Sequence, residues 1–489
     1  MRRGAAVTVA LALVLAALPG TNWTAAVDPA LAPGEYALIQ VEHGAAPAIA
    51  AKAGLAGATD VSALSQIDLV TARLSGEALR ALRADRRVAF LVADGEVSAV
   101  GKGRQFEHEA GRQSPGVAVV EAPRAWPTST GRGVTVALMD TGVAEHPDLA
   151  GSVVARQDFV RDGATELDPS GHGTFVAGLI AAHGRTFKGV APDAKLVSLR
   201  VLDQNGDGRM HSVLAAFDWL LHNRTAYHVG VLNLSFGARQ TTSYHRQLLA
   251  GVVESAWFAG IAVVAAAGND GPNAGTVSMP GADPFVITAG SLADQGTVRT
   301  ADDRESLFSS RGPTRDGFAK PDVLAPGEHV LSLRVPGTAL DRDDRGSGNG
   351  VNPSAYAQLS GTSAASAMVA GVAALVLGAR PYTPTLVKGA LVAGARHVAG
   401  TPTGAADAVG AIAARPARVN AAVMPSLVLL RLLVVNGQIS SGVNWDGISW
   451  EGISWDSVAW EGITWEAVSW ESVSWETASW ESVAWEGLP

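Results

Sequence analysis

The chain has 489 residues, 47% of them hydrophobic, with 55 glycines and no cysteine. This length exceeds one ordinary domain, and the lack of cysteine excludes both disulfides and a thiol nucleophile. The net charge of −9 resides in the last 49 residues, whose nine acids leave 37 acidic against 37 basic residues elsewhere; no basic block suggests a nucleic-acid partner.

At the start, Arg2 and Arg3 precede an apolar run over residues 5–18. Small residues follow at Thr24, Ala25 and Ala26. This is the pattern of a secretory signal peptide, residues 1–26, cut after Ala26. The run is shorter than the roughly 20 residues of a spanning helix, so export and removal are expected rather than anchoring.

Residues 27–112 form a second segment. The pattern predicts a strand at 36–41, a helix at 46–55, strand-like alternation at 61–74, a helix at 77–83 and a strand at 88–92. That β-α-β-β-α-β order suggests a small ferredoxin-like α+β module. Residues 99–116 are polar and glycine-rich, as an exposed processing linker would be.

Residues 113–422 alternate apolar runs with alanine-rich stretches. Strands are predicted at 134–139, 196–201, 229–234, 261–266 and 285–289. Such alternation predicts an α/β fold with a doubly wound, mostly parallel sheet.

Three motifs in this segment carry chemistry. Asp140-Thr141-Gly142 follows a buried strand, where open α/β sheets place their sites. Gly171-His172-Gly173-Thr174 opens an alanine-rich helix, and Ser360-Gly361-Thr362-Ser363-Ala364 opens another. A Ser there sits beside free backbone N–H groups that suit a developing oxyanion. Singly, each motif has an ordinary reading: a turn Asp, a structural His, an N-cap Ser. In this order they are far more specific.

Together the motifs resemble the signatures of the subtilisin-like (subtilase, S8) serine peptidases, whose triad runs in the order Asp, His, Ser. The resemblance implies Asp140, His172 and Ser363 as the catalytic triad. It implies Asn269, in Ala266-Ala267-Gly268-Asn269, as the oxyanion donor beside the Ser363 N–H. Ser235, Phe236, Gly237 and Gly268 would bind substrate backbone, with Ser278 and Asp270 near the S1 pocket. The stretches 308–313, 320–323 and 325–327 also match, and the resemblance spans residues 134–421.

The chain departs from the family at Ala364, where Met is usual, at Ala367, where Pro is usual, and at Phe175, where His is common. Loss of a thioether beside Ser363 should make the site less sensitive to oxidants. The resemblance implies polypeptide substrates, with a preference for large apolar P1 residues. It implies that the 27–112 module is an inhibitory propeptide, removed by autocleavage within 99–116. No cofactor is required for this chemistry and no metal site is expected. Structural calcium has no supporting ligand motif: residues 183–188 carry two cations and no carboxylate. Asp203-Gln204-Asn205-Gly206-Asp207-Gly208 starts like a calcium loop but has Leu214 at its twelfth position, so a polar turn is expected.

A linker at 423–440 holds a short apolar run. Then comes an acidic tail, 441–489, with nine tryptophans at a strict five-residue interval from Trp445 to Trp485, each followed by Asp or Glu. Period five fits neither one helix face nor one strand face. Two readings stay open: a tail that contacts a cell surface or glycans through its Trp faces, and a flexible acidic repeat that keeps its aromatics soluble. The expected protein is a monomeric, secreted or surface-associated bacterial endopeptidase made as a zymogen. The competing reading is a catalytically weak protein of the same fold, acting as an adhesin through its tail.

Overall fold

The structure, a computed structural model, describes residues 25–99, 114–240, 242–343, 356–416, 419–420, 423–426 and 429. The expected signal peptide up to residue 24, most of the processing linker, most of the 423–440 linker and the tryptophan tail lie outside the described residues. The described chain divides into two units: the first holds the residues up to Ala93 and residues 423–425, and the second holds Asp94–Asn420 with Ser426 and Leu429.

The first unit contains β1 (Ala26–Val27), β2 (Tyr36–Val41), α1 (Ala46–Leu55), β3 (Thr59–Leu64), β4 (Leu69–Arg73), α2 (Gly76–Arg83) and β5 (Val88–Ala93). Without the short β1, this is the expected β-α-β-β-α-β order. The expected alternation at 61–74 supplies the middle two strands of that order: β3 turns back at Leu64 and pairs antiparallel with β4, Leu64 facing Leu69. The sheet order is β1-β5-β2-β4-β3. Ile39, Val70 and Leu91 from the sheet meet Ile49 and Ala53 from α1 and Leu82 from α2 in one core. Ser75 caps α2, its hydroxyl accepting from the Ala78 N–H at 3.0 Å.

The second unit opens with β6 (Glu96–Ala99) and is built on an eight-stranded sheet. Its strands are β7 (Thr135–Asp140), β8 (Val153–Asp158), β9 (Lys195–Arg200), β11 (Val229–Leu234), β13 (Ala262–Ala266), β14 (Ile287–Ala293), β15 (Arg304–Glu305) and β16 (Val323–Pro326). The order runs β15-β14-β13-β11-β7-β9-β8, with β16 also on β14. Every pairing is parallel except the β14–β15 pair. β7 and β13 are buried along their whole length, which is why they read as unbroken apolar runs rather than alternating ones.

Two helices begin at the carboxyl ends of this sheet. α3 (His172–Ala181) is buried throughout. α4 (Thr362–Ala379) packs on α3 and on β11, β13, β14 and β16. α4 is long and apolar enough to cross a membrane, yet its apolar stretch is 83% buried inside the fold, so it is a core helix.

The 320–323 stretch has a physical explanation in the core. Lys320 Nζ donates to Asp322 Oδ2 at 2.7 Å and to the Val286 carbonyl at 2.9 Å. Lys388 Nζ pairs with Asp322 Oδ1 at 3.1 Å and donates to the Pro284 carbonyl at 2.6 Å. One carboxylate therefore serves two buried ammonium groups. Burial pushes the Lys320 ammonium down, to about 7, against the pull of Asp322. Burial alone would raise Asp322, but the two lysines hold it below its ordinary value.

Removing one member of a buried ion cluster strands the others. Asp322→Asn is expected to destabilise the second unit by about 3–5 kcal/mol. Urea unfolding of the Ser363→Ala protein with and without the second substitution measures this; a loss below about 1 kcal/mol would show that the lysines find other partners.

Candidate active site

Asp140 is the last residue of β7, and only 1% of its surface is exposed. Its Oδ1 accepts from the Thr141 N–H at 2.7 Å and lies 2.7 Å from His172 Nδ1. His172 is the first residue of α3 and is 4% exposed. The two come together because the chain folds tightly at both ends of the contact. A Cβ on Gly173 would lie 2.0 Å from the Gly142 carbonyl oxygen, and one on Gly142 1.9 Å from the Leu167 oxygen. Only glycine permits those approaches.

Ser363 is the second residue of α4, beside backbone N–H groups that the helix leaves unbonded. Its Oγ donates to the Ser235 carbonyl at 3.3 Å, and this is its hydrogen bond among the described residues, in place of one to His172. Ser363 and His172 line the same small pocket with Phe175, Ser360, Gly361 and Ala364. Gly361 is tied to the turn after β16, its N–H donating to the Gly327 carbonyl at 2.7 Å.

Asn269 follows the turn that ends β13. Its Oδ1 accepts from both the N–H and the hydroxyl of Thr362 at 2.9 Å. That fixes the amide plane and makes Nδ2 its donor end, one residue from Ser363. Gly268 donates its N–H to Thr362 Oγ1 at 3.2 Å, so the 268–269 turn and the start of α4 form one cross-linked unit.

Of the residues expected to bind substrate backbone, Phe236 and Gly237 lie in a second, smaller sheet, which Ser235 precedes. Phe236 and Gly237 form β12, and β10 (Asp207–Arg209) follows the polar turn at 203–206. β6 runs between them, antiparallel to both: Ala99 faces Phe236, and Ser98 faces Gly237 on one side and Asp207 on the other. The Ala99 N–H donates to the Gly206 carbonyl at 2.7 Å. Gly206 leaves room for Ala99, since a Cβ there would lie 2.9 Å from the Ala99 Cβ. Asp203 serves its own turn, accepting from the N–H groups of Asn205 and Asp207 at 2.8 and 2.9 Å. Ser278 lies against Gly237 and Gly268: a Cβ on either glycine would approach its Oγ to 2.6 and 3.3 Å respectively. Asp270 donates its N–H to Ser310 Oγ at 3.1 Å on the adjoining turn.

Two participants were not visible in the sequence motifs. One is the β10 edge, which reads as a mere polar turn. The other is Asp168, four residues before His172, whose sole sequence signal is an Asp ahead of a Pro-Ser-Gly turn.

Burial alone would lower the pKa of His172. The Asp140 charge and hydrogen bond, with the Asp168 charge, outweigh it, and the imidazole is held above its ordinary value. Such a raised value favours the imidazolium, so its stabilising contribution is complete below the unfolded value and is lost as pH rises through the folded one.

A doubly wound parallel sheet that gathers Asp, His and a helix-opening Ser at the carboxyl ends of its strands defines a serine-hydrolase type of site. The chain belongs to the subtilase family, whose peptidase S8 model matches residues 131–411. It is similar to the serine protease AprX of Bacillus subtilis, 40% identical over 278 residues, which are 55% of this chain and 62% of AprX. The chain thus matches only about three-fifths of that relative's length. It is also 33% identical to thermitase of Thermoactinomyces vulgaris over 288 residues, 58% of this chain and 88% of thermitase. Among solved structures, fervidolysin of Fervidobacterium pennivorans, a keratinolytic enzyme related to subtilisin, aligns with a TM-score of 0.62. The alignment covers 82% of this chain and 65% of fervidolysin at 24% identity, which supports the fold.

In a Ser363→Ala protein, the His172 ring is expected to titrate above the ordinary imidazole range by proton NMR, and Asp140→Asn to lower that midpoint. A midpoint that ignores the Asp140 change would show that the buried pair does not set the charge of the ring.

Proposed function

We propose that this chain is a secreted serine endopeptidase working through Asp140, His172 and Ser363. The observation that carries the reading is the buried 2.7 Å Asp140–His172 hydrogen bond in the pocket that Ser363 also lines. A serine hydroxyl is a weak nucleophile, so His172 takes the Ser363 proton as Oγ attacks the peptide carbonyl. Asp140 holds the ring and stabilises the imidazolium. His172 then protonates the leaving amine, and water hydrolyses the acyl-enzyme. The Asn269 amide and the Ser363 N–H receive the oxyanion. That attack requires Ser363 Oγ to leave the Ser235 carbonyl and turn to His172, a rotation about one side-chain bond. No step in this scheme requires a metal or cofactor, and no motif supplies a structural calcium site.

Substrates are polypeptides that add a strand between β10 and β12, where Ser235, Phe236 and Gly237 read the backbone. Family membership and the AprX and thermitase likenesses support this class. A tolerance for large apolar P1 residues fits the glycine-lined walls at Gly237 and Gly268.

The module before Asp94 is proposed as the inhibitory propeptide. β6 follows it in the chain and holds the place between β10 and β12 that a substrate strand would take, with Ala99 at its carboxyl end paired to Phe236. This pairing supports autocleavage within 99–116. Export to the cell exterior or surface of a bacterium and a monomeric state complete the proposal, with the tryptophan tail as the surface contact.

Purified protein is expected to cleave casein and to take up a fluorophosphonate probe at Ser363, with both lost in Ser363→Ala. Asn269→Ala should lower kcat by about 100- to 1000-fold, as loss of one side-chain oxyanion donor does in subtilisin itself. Folded protein with neither activity would favour the adhesin reading. In a separate test, the Ser363→Ala protein should retain its N-terminal module by intact-mass measurement; efficient removal in isolation would rule out self-cleavage.

A further inference from the structure

Asp168 is a buried acid that no motif singles out, 1% exposed, with no cation among its hydrogen-bond partners. Its Oδ1 accepts from Thr141 Oγ1 and the Gly171 N–H, both at 2.8 Å. Its Oδ2 accepts from the Thr174 N–H at 2.8 Å and Thr174 Oγ1 at 2.6 Å.

The protons can be followed one by one. Thr141 Oγ1 accepts from the Gly173 N–H at 2.9 Å, so its own proton is free to go to Asp168. Thr174 Oγ1 accepts from the Ala144 N–H at 2.9 Å, so its proton also goes to Asp168. All four bonds to Asp168 are then donations to it. Burial pushes this carboxyl up from its ordinary value, and the four bonds pull the other way. The donor geometry decides between them. A neutral carboxyl group would bring a proton of its own into a shell made only of donors, so the arrangement fits an ionised carboxylate.

The same bonds bracket His172. The N–H before it, from Gly171, goes to Asp168. The N–H after it, from Gly173, goes to Thr141, which is itself bonded to Asp168 and whose N–H holds Asp140 Oδ1. The two acids are therefore joined through one residue, with the imidazole between the turns that they fix.

We propose that Asp168 is a second positioning carboxylate of the site, ionised and hydrogen-bonded to no cation, which locks the backbone on both sides of His172 and places a fixed negative charge behind its ring. This deepens the peptidase reading and rests on it. Other charges near His172 are few. α4 and β17 (Val330–Leu333), both packed on α3, carry no ionisable side chain. On β9, Lys195 donates to the Gly151 carbonyl and Arg200 pairs with Asp158 and Asp162. Asp148, on the turn beside α3, accepts from the Tyr356 hydroxyl. Among the described residues, that leaves Asp140 and Asp168 as the two charges that act on the ring, both in the direction of holding its proton.

The test uses full-length protein. In the Ser363→Ala background, Asp168→Asn should move the His172 NMR midpoint down by roughly half a pH unit or more, the scale of one charge lost near a buried group. Asp168→Glu should restore most of the shift. In active protein, Asp168→Asn should lower kcat/KM at pH 8 by about 10- to 100-fold, as loss of an orienting partner does for metal-bound histidines, and move the acid limb of the profile to lower pH. An unmoved midpoint with only a smaller amplitude would reduce Asp168 to a structural cap and overturn the proposal. Asn would aim an amide at one of the donors, so a measurement on the unaltered residue stands beside it. The Asp168 carboxyl carbon-13 shift in Ser363→Ala protein should be that of a carboxylate at pH 7; a protonated shift there overturns the proposal even if the variant fails to fold. Both NMR readings are independent of turnover, so an inactive wild-type protein would sink the peptidase reading and leave this one to be judged separately.

Discussion

The site depends on keeping one imidazole between buried acids while water is excluded. A buried carboxylate is costly unless donors surround it. The chain meets that demand with backbone geometry rather than with cations. Thr141 gives its N–H to Asp140 and its hydroxyl proton to Asp168. Gly171 adopts a φ of +90°, which turns its N–H to Asp168 as α3 begins. Gly142 and Gly173 allow the two turns to approach more closely than any side chain would permit. Each of these features would look like ordinary turn chemistry by itself. Their shared purpose emerges only when β7 and the start of α3 are placed side by side.

The cleft is built on a different principle. Its specificity elements are strands, and the small sheet of β10, β6 and β12 holds its central strand by backbone hydrogen bonds. Side-chain identity then enters at alternate positions, where Val97 and Ala99 are both buried. As the proposed substrate groove, the small sheet would accept many sequences, because most of its bonds are to groups that every residue carries. The catalytic side is rigid for the opposite reason. Asn269, Thr362 and Gly268 are cross-linked, and α4 is buried from Thr362 to Val376. Tolerance on the binding side and precision on the chemical side thus come from separate parts of one unit.

Much of the architecture was legible in the sequence, and the reasons are local. Strand 229–234 and helix 46–55 have the predicted bounds because each is a clear apolar pattern flanked by polar or glycine-containing turns. In the 61–74 stretch the pair of strands was legible but the place of the reversal was not, because no Pro or Gly marks the turn at residues 65–68. Asp140, His172, Ser363 and Asn269 were expected from short motifs, and the fold brings Asp140 beside His172 and Asn269 beside Thr362. Asp168 escaped because a lone Asp before Pro carries no signal until its four donors are assembled from three places in the chain. β10 escaped because a three-residue strand is defined by its partner β6, not by its own composition.

The same rule about buried acids reaches the far side of the second unit. Glu254 is fully buried in helix 248–258, where it accepts from the Ser426 N–H at 2.8 Å and from the Ser426 hydroxyl at 2.6 Å. Burial and the Asp283 charge push its carboxyl well up. Asp283 is also pushed up, to about 6, mainly by burial. Two acids whose proton affinities both rise favour sharing a proton over holding two charges. Asp168 is different because its four donors already fill both oxygens and a shared proton would have no acceptor. Asp322 differs again, since two lysines compensate it. The unit thus shows three ways of burying an acid: proton sharing, cation pairing and pure donation. Of the three, pure donation is the one that sets its acid beside His172, where in the proposed mechanism the charge acts on a ring that gains and loses a proton.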